Sequence, residues 1–156
     1  MPSYTSDQIR NVALVGHSGA GKTTLFEALL HAGGTIQTAG TIERGSTVSD
    51  FDPMEKERKH SIQAGIASIT RGECHVNLID TPGYSDFRGP TLSALAAVET
   101  CAIVVNATNG IEHATRRMMD YARDRGLARV LVINRIDTEC NLSALVEELR
   151  EEFGTE

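Results

Sequence analysis

The sequence predicts an α/β fold, a doubly wound sheet that is mostly parallel with one antiparallel edge strand. Three observations carry this expectation. Apolar runs such as 102–107 (AIVVNA) and 129–134 (RVLVIN) lack polar alternation, the pattern of strands covered on both faces. Amphipathic helical text separates these runs, so strand and helix alternate along the chain. Residues 65–70 and 74–79 are joined only by a tight turn, which suffices for an antiparallel pair and not for a parallel one.

Taken in order, residues 1–8 are polar and expected to be frayed. Residues 9–15, with the run NVALV, read as a buried strand. A Gly-rich turn leads into a helix over 22–31, where Leu25, Phe26, Leu29 and Leu30 share one face and Gly33 and Gly34 end it. Residues 33–64 show little periodicity and a dense charged stretch, and loops of that length are often functional. The two antiparallel strands follow, with their turn at Arg71-Gly72. Residues 81–90 contain two Pro and two Gly and read as a loop, and 91–100 as a helix. Strand 102–107 precedes a helix over 112–125 with Ala114, Met118, Tyr121 and Ala122 on one side. Strand 129–134 leads to a last amphipathic helix, 141–153, capped by Asn141 or Ser143.

The 156 residues suit one domain. With 15 Lys and Arg against 21 Asp and Glu, the net charge of −6 excludes a general nucleic-acid coat and argues against direct sequence-specific DNA binding. No apolar run is long enough for a membrane helix, and the start carries no signal sequence. Three widely spaced Cys (Cys74, Cys101, Cys140) point to a reducing compartment, so the expected location is cytoplasmic.

Chemistry is concentrated in three places. Gly16 to Thr23 spells GHSGAGKT, a complete Walker A motif between a strand and a helix. Its glycines let successive N–H groups face one point and cradle a phosphate, Lys22 caps the β- and γ-phosphates, and Thr23 offers a hydroxyl to Mg²⁺. The expected nucleotide-binding residues here are Gly16, His17, Ser18, Gly19, Ala20, Gly21, Lys22, Thr23 and Thr24. Downstream, Asp80-Thr81-Pro82-Gly83 closes a strand as DxxG. Asp80 stands where the acidic Mg²⁺ partner of such a site belongs, and Gly83 can bring its N–H to the γ-phosphate because it has no side chain. Third, Asn134-Arg135-Ile136-Asp137 ends another buried strand. A carboxylate there accepts both the N1–H and the exocyclic amine of guanine, which adenine cannot satisfy, while Asn134 ties the loop to the phosphate loop.

With these motifs in order, the chain resembles the G domain of translational GTPases, most of all elongation factor G and its close homologues. The resemblance runs from Asn11 to about Phe153 and rests on GHSGAGKTTL, ERKHSI, VNLIDTPGYSDF and NRID. It implies a P-loop nucleotidase fold over 9–156, with a first switch at about 33–64 and a second at about 80–90. By the same resemblance this is an amino-terminal portion, cut before the last strand and helix, with an unpaired sheet edge and a tendency to self-associate. The resemblance implies GTP and GDP as ligands and Mg²⁺ as cofactor, held by Thr23, Ser61 and Asp80. It places Lys22, Gly83 and Tyr84 in catalysis, Asn134, Arg135 and Asp137 on guanine, and the ribosome as partner.

Four departures from the family pattern stand out. Tyr84 occupies the place of a catalytic histidine that positions the attacking water, so hydrolysis is expected to be weak or altered. Arg135 replaces a Lys, Gly19 replaces an acidic residue, and Lys59 and His60 replace a Gly and an apolar residue in the first switch. The leading expectation is a GTPase, and the alternative is a non-hydrolysing GTP-binding module docked on the ribosome. An adenine-specific ATPase is disfavoured by Asn134 and Asp137. The remaining His31, His75 and His113 lack metal-ligand spacing. His17 reads as a solvated filler, and Arg116, Arg117, Arg123, Arg125 and Arg129 as a solvated face or a docking patch.

Overall fold

A computed structural model describes residues 4–154. Five strands, β1 (Ile9–Val15), β2 (Gly65–Arg71), β3 (Cys74–Asp80), β4 (Thr100–Asn106) and β5 (Ala128–Asn134), form one sheet in the order β2-β3-β1-β4-β5. β1 runs parallel to β3 and β4, and β4 parallel to β5. Only the edge strand β2 is antiparallel, pairing with β3 from Gly65 opposite Asp80 to Arg71 opposite Cys74. That register puts the turn at Gly72-Glu73, one residue later than the sequence suggests, with Gly72 in the left-handed region (φ 60°).

Five helices surround the sheet: α1 (Lys22–Ala32), α2 (Pro53–Arg58), α3 (Arg88–Leu95), α4 (His113–Asp124) and α5 (Leu142–Phe153). The period-2 geometry of the strands splits the core in two. Leu14, Leu78 and Ala102 face α1, where Phe26 and Leu30 are fully buried against them. Ala13, Val15, Ile79, Cys101, Ile103 and Val105 face the other way and pack with Leu95 of α3, Met119 and Ala122 of α4, and Leu145 and Leu149 of α5. Both faces of the central strands are therefore covered, which is why their sequences read as unbroken apolar runs.

Four local outcomes differ from the sequence reading. First, the 33–64 segment holds a helix. Asp52 caps α2 by accepting from Met54 N at 2.7 Å, Pro53 opens it, and the Glu55 side chain returns to Asp52 N at 3.1 Å. This capping box is written in the sequence as D-P-M-E and outweighs the weak periodicity of so short a helix. Second, α3 spans Arg88–Leu95 rather than 91–100. Pro90 lies in its first turn, where a missing N–H breaks no intrahelical bond. The Ala-rich text after it is released from helix because Thr100 and Cys101 pair with both neighbouring strands.

Third, the buried face of α4 is centred on Thr115, Met119 and Ala122, with Met118 and Tyr121 only partly buried beside it. Fourth, the expected frayed stretch 1–8 falls partly on residues 1–3, outside the described residues. Over the rest, Ser6–Gln8 form a 3-10 turn capped reciprocally by Thr5 and Gln8, and the Tyr4 ring stacks on His75 at 4.7 Å. Asn141 caps α5, its side chain accepting from Ala144 N at 3.1 Å. Among the described residues no helix is long and apolar enough to cross a membrane.

Truncating the deepest aromatic should cost far more than removing a cap. Urea unfolding of Phe26→Ala should show a loss of about 3–5 kcal/mol. The same measurement on Asp52→Ala should show a loss of about 1 kcal/mol.

Candidate functional site

The carboxyl ends of β1, β3 and β5 deliver the three motifs to one rim of the sheet. After β1 the chain curls through the phosphate loop and enters α1 at Gly21, which is left-handed (φ 89°) and whose missing Cβ leaves room for the Asn134 amide. Asn134, the last residue of β5, donates from Nδ2 to Ala20 O at 2.9 Å, so the β5 loop is tied to the phosphate loop. Asp80, the last residue of β3, accepts at Oδ2 from Thr23 Oγ1 (2.7 Å) and Ser49 Oγ (2.9 Å). Lys22 Nζ donates to Gly16 O (3.0 Å) and His17 O (2.9 Å).

Gly83 lies directly over this lysine. A Cβ on Gly83 would sit 2.5 Å from Lys22 Nζ and 2.7 Å from Ser18 N, so any side chain there would collide with the lysine and the loop before it. Ser61 brings its hydroxyl to 3.4 Å from Thr23 Oγ1 and donates to Asp50 Oδ1 at 2.7 Å. These groups line a cavity of roughly 360 Å³ that also includes Gly19, Thr24, Lys59, His60, Tyr84 and Arg135. Arg135 is left-handed (φ 59°) and exposed, its N–H held by Asn134 Oδ1 at 2.9 Å. Asp137 is exposed just beyond, in a loop braced by Thr138 Oγ1 on Arg135 O at 2.7 Å.

The electrostatics are costly by construction. Asp80 is 1 % exposed and Lys22 6 %. Burial pushes the Asp80 carboxyl up to about 6, against the lowering effects of the Thr23 bond, Lys22 and the Ser49 bond. Burial likewise brings the Lys22 ammonium down to about 8, opposed by Asp80. Asp80 Oδ1 is buried without a hydrogen-bond partner. An orphaned carboxylate oxygen beside two hydroxyls and a second buried acid, Asp50, is a hard-oxygen donor set of the kind that suits Mg²⁺. No group of three or more His, Cys, Asp or Glu gathers for a metal among the described residues, so the set depends on Thr23 and Ser61.

Some residues in this region escaped the sequence reading. Buried Glu27 of α1 accepts the N–H groups of Gly40 (2.7 Å) and Val48 (2.5 Å), and buried Glu55 accepts those of Ile62 (2.8 Å) and Gln63 (3.0 Å). Two carboxylates thus hold the backbone on either side of Asp50 and Ser61. His17 is not a solvated filler: it is 4 % exposed, with Nε2 3.2 Å from Glu112 Oε1 in a pairing without hydrogen-bond alignment. Burial lowers its pKa, partly countered by Glu112. His17 and Glu112 border a second cavity of roughly 320 Å³, reached also by Tyr84, Thr91 and Arg117.

Away from the rim, the arginines are largely engaged within the molecule. Arg116 pairs with Glu152 at 2.7 Å, Arg123 with Asp120 at 2.5 Å, and Arg125 lies over the Tyr121 ring. Cys101 is buried and its thiol is pushed up to about 12, which makes it a packing residue rather than a nucleophile.

Comparison with known proteins agrees with this geometry. The family described as "Elongation factor Tu GTP binding domain" matches residues 7–156. The "Elongation factor G-like protein" of Mycobacterium tuberculosis (strain CDC 1551 / Oshkosh) is 37 % identical over 147 residues, covering 94 % of this chain and 21 % of that protein. The "Tetracycline resistance protein TetW" of Butyrivibrio fibrisolvens is 34 % identical over 150 residues, covering 96 % of this chain and 24 % of that protein. A crystal structure of a Thermus thermophilus protein superposes with a TM-score of 0.91 at 39 % identity, covering 94 % of this chain and 22 % of that one. The chain therefore spans about a fifth of the length of the curated relatives it matches.

The raised Asp80 pKa makes a signed prediction. Its folded value near 6 lies above the ordinary carboxylate value, so the folded state holds a proton that the unfolded state has released. The stability this gives is full below about pH 4 and lost as the pH rises through about 6. Nucleotide-free thermal unfolding at stepped pH should show the parent losing about 2–3 kcal/mol relative to Asp80→Asn across that window, and a constant gap above it.

Proposed function

This chain belongs to the family of elongation factor Tu GTP binding domains, and from that premise we propose that it binds GTP and GDP with Mg²⁺ and hydrolyses GTP to GDP and phosphate. The observation that carries the proposal is convergence. Lys22, Thr23, Ser61, Gly83 and Tyr84 border one cavity, and Arg135 of the third motif closes its other end.

Each side chain then has a task. The backbone of residues 16–21 and the amino end of α1 receive the phosphates through N–H groups and the helix dipole. Lys22, now bonded to two loop carbonyls, turns its charge toward the oxygens of the terminal phosphates and stabilises the charge that grows there. Thr23 and Ser61 are the hydroxyls that would hold Mg²⁺, with Asp80 and Asp50 behind them. The ion, when bound, neutralises charge between the β- and γ-phosphates.

Gly83 presents its N–H to the γ-phosphate and links the second switch to nucleotide state. Asn134 keeps the base loop on the phosphate loop, Arg135 lays its stem along the base, and Asp137 reads the guanine edge. Tyr84 is 46 % exposed and borders both this cavity and the one beside it; a hydroxyl directed at the γ-phosphate face would favour the enzyme over the module. The ribosome is the proposed partner, consistent with relatives named as an elongation factor G-like protein and a tetracycline resistance protein.

The test is titration with fluorescent GDP, GTP and ATP analogues, with and without Mg²⁺. Guanine-selective, Mg²⁺-dependent binding is expected, and equal affinity for ATP would overturn the assignment of Asp137. Asp137→Ala should weaken GDP binding on the order of 10- to 100-fold, the loss of charge-assisted hydrogen bonds to the base. Lys22→Ala should abolish binding of both guanine nucleotides.

A further inference from the structure

Building on the GTPase reading, we propose that His60 of the first switch supplies the hydrogen-bond acceptor that orients the attacking water, with the ring of Tyr84 as its support. The two residues adjoin groups already assigned to the site, a Mg²⁺ hydroxyl and the glycine at the γ-phosphate. His60 precedes Ser61, and Tyr84 follows Gly83. Their rings meet at a centroid distance of 4.6 Å and an interplanar angle of 51°, with Phe87 backing His60 at 6.0 Å. Both rings border the cavity that holds Lys22, Thr23 and Gly83. The two switches thus touch ring to ring where the water must approach.

His60 is also held for the task. Its Nδ1 lies 3.0 Å from Arg58 O, and a bond to a carbonyl requires that nitrogen to carry the hydrogen. With the hydrogen on Nδ1, the nitrogen of the ring left to act as acceptor is Nε2. His60 N donates to Glu55 O at 3.3 Å, while the Glu55 side chain takes the N–H groups of Ile62 and Gln63, just beyond Ser61. Buried Glu55 therefore fixes the backbone before and after the histidine. Lys59 between them is left-handed (φ 57°), a conformation that disfavours a lysine and is kept only because α2 ends there.

Chemistry favours the imidazole over the phenol. An sp² nitrogen accepts a hydrogen bond from water more strongly than a phenolic oxygen whose lone pair is delocalised into its ring. In the step itself, the water oxygen forms a bond to the γ-phosphorus. The bond from that phosphorus to the bridging oxygen breaks, its electron pair remaining on the β-phosphate of GDP. Both water protons leave on the dihydrogen phosphate released, so His60 orients the water and keeps no proton. The role is a catalytic one by position: His60 touches the reacting water and not the base or the Mg²⁺ hydroxyls.

The experiment compares the full chain with His60→Phe and His60→Gln. GDP and GTP affinities and single-turnover GTP hydrolysis are measured for each, with and without ribosomes. His60→Phe keeps the ring contact and removes the acceptor. It should lower the hydrolysis rate by about 10²-fold at unchanged nucleotide affinity. His60→Gln, which restores an acceptor, should recover most of that loss. Hydrolysis by His60→Phe at the parental rate would overturn the proposal. So would a loss shared equally between affinity and rate, a failure of His60→Gln to recover, or a parent that binds GTP and never hydrolyses it. A parent that binds no guanine nucleotide would instead overturn the GTPase reading itself, and this assignment with it.

Discussion

A lysine and an aspartate held out of water beside each other govern the rest of this structure. Lys22 stands at the first position of α1 and Asp80 at the last of β3, and both are nearly inaccessible to solvent. Neither is neutralised by a direct short bond to the other. Lys22 is spent on two loop carbonyls and Asp80 on two hydroxyls, leaving one carboxylate oxygen unpartnered. Burying charge in this way costs free energy. The double-faced apolar sheet offsets that cost and leaves Asp80 Oδ1 an unpaired acceptor at the rim.

Parallel pairing explains how the rim is assembled. β1 runs alongside both β3 and β4, so its carboxyl end opens on the same side as theirs, and β5 continues the set. Motifs separated by more than fifty residues in sequence are neighbours because their strands stop at one edge of the sheet, the usual place for ligands in open α/β folds. The Asn134 bond to Ala20 O ties the loop after β5 to the loop after β1.

The segment 33–64 depends on a different device. Its backbone lies outside the strand ladders, and buried Glu27 and Glu55 supply acceptors for it. Bonds from N–H groups to a buried carboxylate are strong and directional. They carry Ser49, Asp50 and Ser61 to Asp80 and Thr23, and they bring His60 against Tyr84. A shift of this segment would break several of these contacts together, the behaviour needed of an element with two states.

The sequence alone determined the sheet, its antiparallel edge, and which residues gather at the nucleotide rim. Those features follow from hydrophobic period and from motifs whose spacing is set by backbone chemistry. α2 was also legible in principle, since D-P-M-E is a capping box with Pro at the first helical position. Tertiary structure decided what a local pattern cannot encode. The end of α3 was set by strand pairing, and the burial of His17 by its packing near Glu112. The roles of Glu27, Glu55 and Asp50 arise from partners distant in the chain, and the His60–Tyr84 contact joins two loops whose mutual placement depends on all of these bonds. An isolated acid or histidine in a polar stretch looks solvated until the fold closes over it, because burial and hydrogen-bond partnership are properties of the packed chain.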